Sequence, residues 1–383
     1  MKKIIFFFTL LVTFLHAYNQ EIGFKEIDSW VEDNPGKLIP IRIEFKDNID
    51  CFKLNQQFKD QQTPVNQRPK IVNRLLKEQA VKSQEFVIDF LKKQTSSKTY
   101  YHSFWIVNII VAQVDAATIE KLLQFSNILS IKIENNQFIA HDNFKESADN
   151  NRTPNGVENG LIAINAPAMW ALGYTGRGRL AYNYDTGVWP NHPAFSNRFI
   201  GDRFPMQQSW IGYFNTFPNG SIQNHGTHTL GTIAGLVEST NDTIGVAFGS
   251  YWIANDFVTS TVQALPPIVN MIEAFQWALN PDNDTSTTED VPDVINNSWR
   301  WYDGNDTIHC QGFVVNLMNA IEAAGIANVF SGGNSGPSNS SVNSPQRINT
   351  SEVNTFCVGS VNGNISFPYP ISNFSTRGPS QCS

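Results

Sequence analysis

A chain of 383 residues, 41% hydrophobic and 16% charged, is long enough for two folded domains and a sizeable core. A formal net charge of −7 argues against nucleic-acid binding, because gripping phosphates draws on a basic surface that this composition does not supply.

In chain order, Lys2 and Lys3 precede the apolar run Ile4 to Leu15, and Ala17 supplies a small residue at a cleavage point. Residues 1–17 therefore read as a secretory signal peptide, with an uncleaved anchor as the competing reading. No later run reaches the roughly 18 apolar residues of a membrane span, so the mature product is expected to be soluble and exported, with no membrane contact after signal cleavage. Asn-x-Ser/Thr sequons at Asn151, Asn219, Asn241, Asn283, Asn296, Asn305, Asn339, Asn349, Asn364 and Asn373, with none before Asn151, fit an exported glycoprotein. Cys51, Cys310, Cys357 and Cys382 allow three full disulfide pairings, and sequence does not choose among them.

Residues 18–142 carry a complete α+β pattern. Ile39, Ile41, Ile43 and Phe45 alternate as a half-buried strand, and Leu76, Ala80, Phe86, Val87, Phe90 and Leu91 follow helical spacing. Phe104 to Val111 reads as a second strand, Asp115 as the cap of a helix bearing Ile119, Leu122 and Leu123, and Leu129, Ile131 and Ile133 as a further strand. The expectation is a small split-βαβ domain, ferredoxin-like in class. Residues 143–160 then collapse into a polar, exposed and cuttable linker.

From 161 to 383, strands and helices alternate. The strands are Leu180–Tyr184, Tyr251–Asn255, Val294–Asn297, Ile326–Phe330 and Phe356–Val361; the helices follow Asn224, run from Ile268 to Leu279 and from Phe313 to Ala324. Such alternation predicts an α/β domain in three layers, its mainly parallel sheet covered by helices on both faces. Pro281 to Asp290 reads as a surface insertion.

Three clusters carry chemistry. Asp185 ends a strand, where open α/β sheets bind ligands; taken singly it reads as a carboxylate serving its own turn through Thr186 and Gly187. Asn224 reads as an N-cap that places His225 in the first turn of a helix. Helix dipole and burial there favour a neutral imidazole able to accept a proton. The small residues of NHGTHTLGTIAG let this helix approach the sheet near Asp185. The pair His225 and His228 lacks the Glu of a zinc-peptidase motif, so no metal site is expected, and His228 reads as a packed histidine. In FSGGNSG, Asn334 can donate to charge forming on a carbonyl oxygen, although such a stretch alone is more often a plain loop.

Together, and in this order, the clusters resemble the subtilisin-like serine peptidases (peptidase S8), specifically their bacillopeptidase F branch. The resemblance runs through INAPAMWALGYTGRGRLAYNYDTGVWPNHPAF, NHGTHTLGTIAG, GVAFGSYWIA, DVINNSW, AAGIANVFSGGNSG and FSTRGPS, from about Ile164 onward. It implies Asp185 as triad acid, His225 as base, Asn334 as oxyanion donor, and Ser298 and Trp299 on the edge that pairs with an extended peptide substrate. It implies no required cofactor; calcium is common among relatives, but no loop here has a ligand spacing that supports it. The run WIVNIIVAQVDAATIEKLLQFSNILSIKIEN looks like an inhibitory propeptide of the inhibitor I9 type, a partner that would block its own enzyme through its sheet face and a tail from Asn135 onward. An unrelated binding module is the competing reading of this domain.

The pattern also departs from the family. Its nucleophile sits in a Gly-Thr-Ser-Met-Ala-type motif beyond FSTRGPS, and no Gly-Thr-Ser occurs in this sequence. Ser375, Ser380 and Ser383 precede no helix able to aim a hydroxyl at His225, and no G-x-S-x-G is present. No nucleophile is therefore assigned: the expectation is a zymogen sequence cut short before its serine and inactive by itself, with a non-catalytic pseudopeptidase or carrier of an inhibitory propeptide as the alternative. Cys382 is compatible with a partner in the missing part. Arg300 stands where a glycine is usual, and Asn183 and Tyr184 where aliphatic residues are, which puts the packing behind the acid in question.

Overall fold

Alternation in Ile39–Phe45 (β1) is realised as written: every second side chain is buried and the intervening ones are half-buried. The computed structural model describes residues 27, 29–94, 100–134, 156–220, 224–258, 268–300, 310–349 and 355–382. The expected signal peptide, the expected propeptide tail from Asn135, most of the expected linker and Ser383 lie outside the described residues, as do the sequons at Asn151 and Asn305.

The chain forms two compact units, one of Met1–Ile49 and Leu76–Asn135, the other of Asp50–Leu75 and Asn136–Ser383. After β1 come the helices Cys51–Asp60 (α1) and Arg68–Lys93 (α2), the strands Tyr100–Phe104 (β2) and Ile109–Val114 (β3), the helix Ala116–Leu122 (α3) and the strand Ile128–Ile133 (β4). In the first unit the antiparallel order is β2-β3-β1-β4. Its core joins Ile41, Ile43 and Phe45 to Val87, Leu91, Ile110, Ala112, Ile119 and Leu122. Asp115 caps α3 by accepting from Thr118 N at 2.7 Å.

Three local expectations change. Phe104 to Val111 is not one strand but a hairpin, since Asn108 at φ +49° turns the chain between β2 and β3. The register of β4 buries Ile128 and leaves Leu129 exposed, because the pairing with β1 shifts between Glu44 and Phe45. Phe86 faces outward on α2 while Val87 and Leu91 fill the core.

The second unit is built on strands Leu180–Tyr184 (β5), Trp210–Ile211 (β6), Tyr251–Asn255 (β7), Val294–Asn297 (β8), Ala327–Ser331 (β9) and Phe356–Val358 (β10). Helix His225–Ala234 (α4) lies between β6 and β7 in the chain, Ile268–Ala278 (α5) between β7 and β8, and Phe313–Ala323 (α6) between β8 and β9. The sheet is parallel throughout, in the order β10-β9-β8-β5-β7-β6. Sequence reading missed β6, whose two residues are too few to show a period.

β5 sits inside the sheet and all five of its residues are buried. Asn183 and Tyr184 are accommodated rather than disruptive. Asn183 donates to Gly226 O at 2.9 Å and accepts from Asn296 Nδ2 at 3.0 Å, while the Tyr184 ring packs against Phe257, Phe275 and Trp299. Asn296 therefore uses its amide inside the sheet, so this sequon is a strand residue and not a surface acceptor. Cys382 pairs with Cys310, a choice that sequence left open; Cys51 is buried and Cys357 exposed as free thiols. Among the described residues no helix is long and apolar enough to cross a membrane.

Candidate active site

Strands of a parallel sheet deliver the residues at their carboxyl ends into a common crevice. Asp185, the residue after β5, is fully buried there. A bare buried carboxylate is costly, and this one is surrounded by donors. Thr186 N donates to Oδ1 at 2.7 Å, Thr229 Oγ1 donates to Oδ2 at 3.0 Å, and Nδ1 of His225 lies 2.5 Å from Oδ1. The turn reading and the histidine reading of Asp185 are thus both realised, on the same oxygen. The backbone is fixed as well, with Asp185 N donating to Asn255 Oδ1 at 2.8 Å from the end of β7, and Val258 N donating to Asp185 O at 3.0 Å.

His225 opens α4 and is buried. Asn224 does not cap this helix through its side chain, contrary to expectation: its backbone is already helical, at φ −77° and ψ −2°. The orphan amide of Gly226 instead finds Thr186 Oγ1 at 3.0 Å, so the acid's own turn caps the histidine's helix. Glycine is required at 226 for a steric reason. A Cβ there would stand 2.2 Å from Gly187 O and 3.1 Å from the Asp185 Cβ, so only a bare backbone lets the helix come close enough for the 2.5 Å contact. His228 lies one turn along, where burial and the neighbouring His225 hold its imidazole below the usual histidine value.

A cavity of about 200 Å³ opens over His225. Asn334, Ser298, Trp299, Arg300 and Gln346 line it with His225, so the sequence-predicted residues that follow two strand ends and the one that opens α4 meet around one space, with Asp185 behind the imidazole. Trp299 is buried at its base between Tyr184 and Phe330, and Gln346 Nε2 donates to Trp299 O at 2.5 Å. The loop carrying Asn334 is clamped from the FSTRGPS segment. Thr376 Oγ1 donates to Gly332 O, Thr376 N to Gly333 O at 3.2 Å, and Gly336 N to Phe374 O at 2.8 Å.

Of the late serines, Ser375 and Ser380 are engaged elsewhere. Ser375 Oγ accepts from Ser360 N at 3.0 Å, and Ser380 Oγ donates to Arg347 O. Among the described residues no group of three or more His, Cys, Asp or Glu is placed to hold a metal ion.

Thr186 was read only as a turn partner of Asp185; Thr229, which also holds the carboxylate, and Asn255, which holds the Asp185 backbone amide, were not read as site residues. Thr229 carried a signal that was not used: it lies four residues after His225 and so on the same helix face. Asn255 reaches Asp185 only because β7 neighbours β5, a pairing that spacing along the chain does not reveal.

Comparison with known proteins gives a consistent picture. The profile of the Subtilase family matches residues 184–382. Bacillopeptidase F of Bacillus subtilis (strain 168) is 31% identical over 275 residues, covering 68% of this chain and 19% of that protein. Subtilisin amylosacchariticus of Bacillus subtilis subsp. amylosacchariticus is 27% identical over 262 residues, covering 68% of this chain and 57% of its own. The chain thus spans about a fifth of the first relative and little more than half of the second. A crystal structure of the epidermin leader peptide processing serine protease from Staphylococcus aureus superposes with a TM-score of 0.52 at 15% identity, over 89% of this chain and 73% of that one.

Proposed function

This chain belongs to the subtilase family, and from that premise we propose that it is the N-terminal part of a secreted serine endopeptidase zymogen. The supporting observation is the 2.5 Å contact between Asp185 Oδ1 and His225 Nδ1 at the edge of the cavity that Asn334 lines. In the proposed mechanism Asp185 fixes the tautomer with the proton on Nδ1, so that Nε2 takes the proton of a serine hydroxyl and later returns it to the leaving amine. Asp185 stabilises the imidazolium formed in between. Thr229 and Thr186 hold the carboxylate so that no reorganisation accompanies this charge development.

Asn334 donates to the tetrahedral oxyanion. Loss of such a donor costs about 10²–10³-fold in turnover, a figure measured in subtilisin itself, a relative of this chain. Ser298 and Trp299 form the edge along which an extended peptide substrate lies. The nucleophile is supplied by polypeptide encoded beyond Ser383, and the 383 residues alone are inactive, because removing the nucleophile leaves only a small residual rate over water. Residues 1–17 direct export, 18–142 act as an inhibitory propeptide, and cleavage within 143–160 separates it from the peptidase domain.

The longest product of the gene should react with a serine-directed fluorophosphonate probe, and His225→Ala should lose that reaction. Absence of labelling in a product extending past Ser383, with the substitution making no difference, would remove the enzyme reading. It would favour a non-catalytic relative, the alternative that the lack of Gly-Thr-Ser in these residues supports.

A further inference from the structure

Asp256, the residue after β7, is fully buried and takes no part in the mechanism above. Its carboxylate is held by amides. Oδ1 accepts from Tyr213 N at 2.5 Å and from Phe214 N at 3.1 Å, and Oδ2 accepts from Asn215 N at 2.8 Å and from Asn215 Nδ2 at 2.8 Å. Residues 212–220 form no helix or strand, so their backbone N–H groups have no ladder to join and need acceptors from elsewhere. Three successive N–H groups closing on one buried carboxylate make a charge-assisted anchor, firmer than the neutral bonds that commonly hold a loop. The same stretch is pinned once more at Asn215 O, which accepts from Trp210 Nε1 at 2.8 Å.

The far end of this loop rests on the site. Asn219 O stands 2.3 Å from where a Cβ on Gly187 would be, and Gly187 is the residue whose carbonyl abuts Gly226. Gly220 lies over the bond that ties the Asp185 turn to α4: a Cβ there would be 2.8 Å from Trp189 N and 2.9 Å from Thr227 Oγ1, and Trp189 N donates to Thr227 Oγ1 at 3.0 Å. The loop therefore backs both the turn that carries Asp185 and the helix that His225 opens. We propose that Asp256 is a positioning residue for the Asp185 and His225 pair: by anchoring residues 212–220 it holds the Asp185 turn against the start of α4. The end of β7 then serves the acid twice, directly through Asn255 and Val258 and from behind through Asp256. The consequence for turnover rests on the peptidase reading, but the clamp does not.

Asp256→Asn tests this, since it keeps the shape of the side chain but removes the charge and turns one acceptor into a donor facing backbone N–H groups. In the 383-residue chain the proton on His225 Nδ1, followed by NMR, should move upfield. Leu317→Ala, a truncation in the buried core of α6, should lower stability without moving that proton, which separates positioning from general destabilisation. Asn215→Ala removes only the side-chain bond to Oδ2 and should move the same proton in the same direction by less; it decides the matter if Asp256→Asn does not fold. In the full gene product Asp256→Asn should lower kcat about 10-fold at nearly unchanged KM, less than the roughly 10²-fold cost of a full ångström of misplacement. An unmoved proton in folded Asp256→Asn, or in Asn215→Ala where that variant must decide, would overturn the proposal. So would an equal shift in Leu317→Ala. A parent gene product without turnover would refute the peptidase reading and leave the spectroscopic result standing.

Discussion

Gly226→Ala is the sharpest steric test of how Asp185 and His225 are brought together. The added methyl would lie 2.2 Å from Gly187 O, at least 0.8 Å inside the 3.0 Å that real Cβ atoms respect, and its obstacle is backbone rather than a flexible side chain. Gly187 cannot yield easily: it sits at φ +103°, and Asn219 O already stands 2.3 Å from where its own Cβ would be. The start of α4 must therefore back away from the Asp185 turn by nearly an ångström, which breaks both the Gly226 N to Thr186 bond and the His225 to Asp185 contact. Overpacking of this kind costs about 1–3 kcal/mol. In a catalytically complete enzyme a displacement near 1 Å costs about 10²-fold in rate. Urea denaturation of the 383-residue chain, followed by the Trp fluorescence of the second unit, measures the first, and turnover of the full gene product measures the second. A variant within about 0.5 kcal/mol of the parent and equally active would refute the close-approach argument.

Other consequences are independent of that one. Thr229→Val removes a donor from the buried Asp185 carboxylate and should lower stability by about 1.5–3 kcal/mol, whereas Thr229→Ser should recover most of it; equal losses in the two variants on chemical denaturation would deny the hydroxyl its role. The Cys310–Cys382 disulfide spans a sequence separation of 72, for which loop-closure entropy gives about 4 kcal/mol, so replacing both by serine should lower the melting temperature by roughly 10 °C or more on a scanning calorimeter. No change in melting would mean that the bond constrains little in the unfolded chain. Asp290 is half-buried beside the Asp282 charge, and burial first, then that charge, push its carboxyl up to about 6. A raised acid pKa means that the folded state holds the proton more tightly than the unfolded one between about pH 4 and 6, so this group's contribution falls as pH rises through that window. Asp290→Asn should flatten that part of the stability profile; an unchanged slope in denaturant titrations from pH 4 to 7 would refute the assignment.

The parts of the fold that sequence revealed are those governed by short-range pattern. β5, β7 and β8 are found where runs of apolar residues end in polar punctuation, and Asp185 stands at the end of such a run. His225 and Asn334 were legible because small-residue clusters recur in order with Asp185, a pattern that resembles a known family although each cluster alone reads as a turn or a loop. What escaped was decided across the sheet or by a single backbone choice. Asn224 resembles a cap by residue type, but its helical backbone hands that role to Thr186, a residue 38 positions earlier in the chain. Asn183 looked like a defect in a strand and is instead bonded to Gly226 and Asn296 across two neighbouring elements. The pairing of Cys310 with Cys382, and the membership of Asp50–Leu75 in the second unit, are matters of tertiary arrangement that no local period encodes.

The central claim is that Asp185 holds His225 with the proton on Nδ1, ready to accept another on Nε2. Long-range ¹H–¹⁵N correlation on ¹⁵N-labelled histidine measures this directly in the 383-residue chain. The account predicts a protonated Nδ1 in His225 at neutral pH, with a strongly deshielded proton that disappears in His225→Ala and moves sharply upfield in Asp185→Asn. An unprotonated Nδ1, or a signal indifferent to Asp185→Asn, would contradict it.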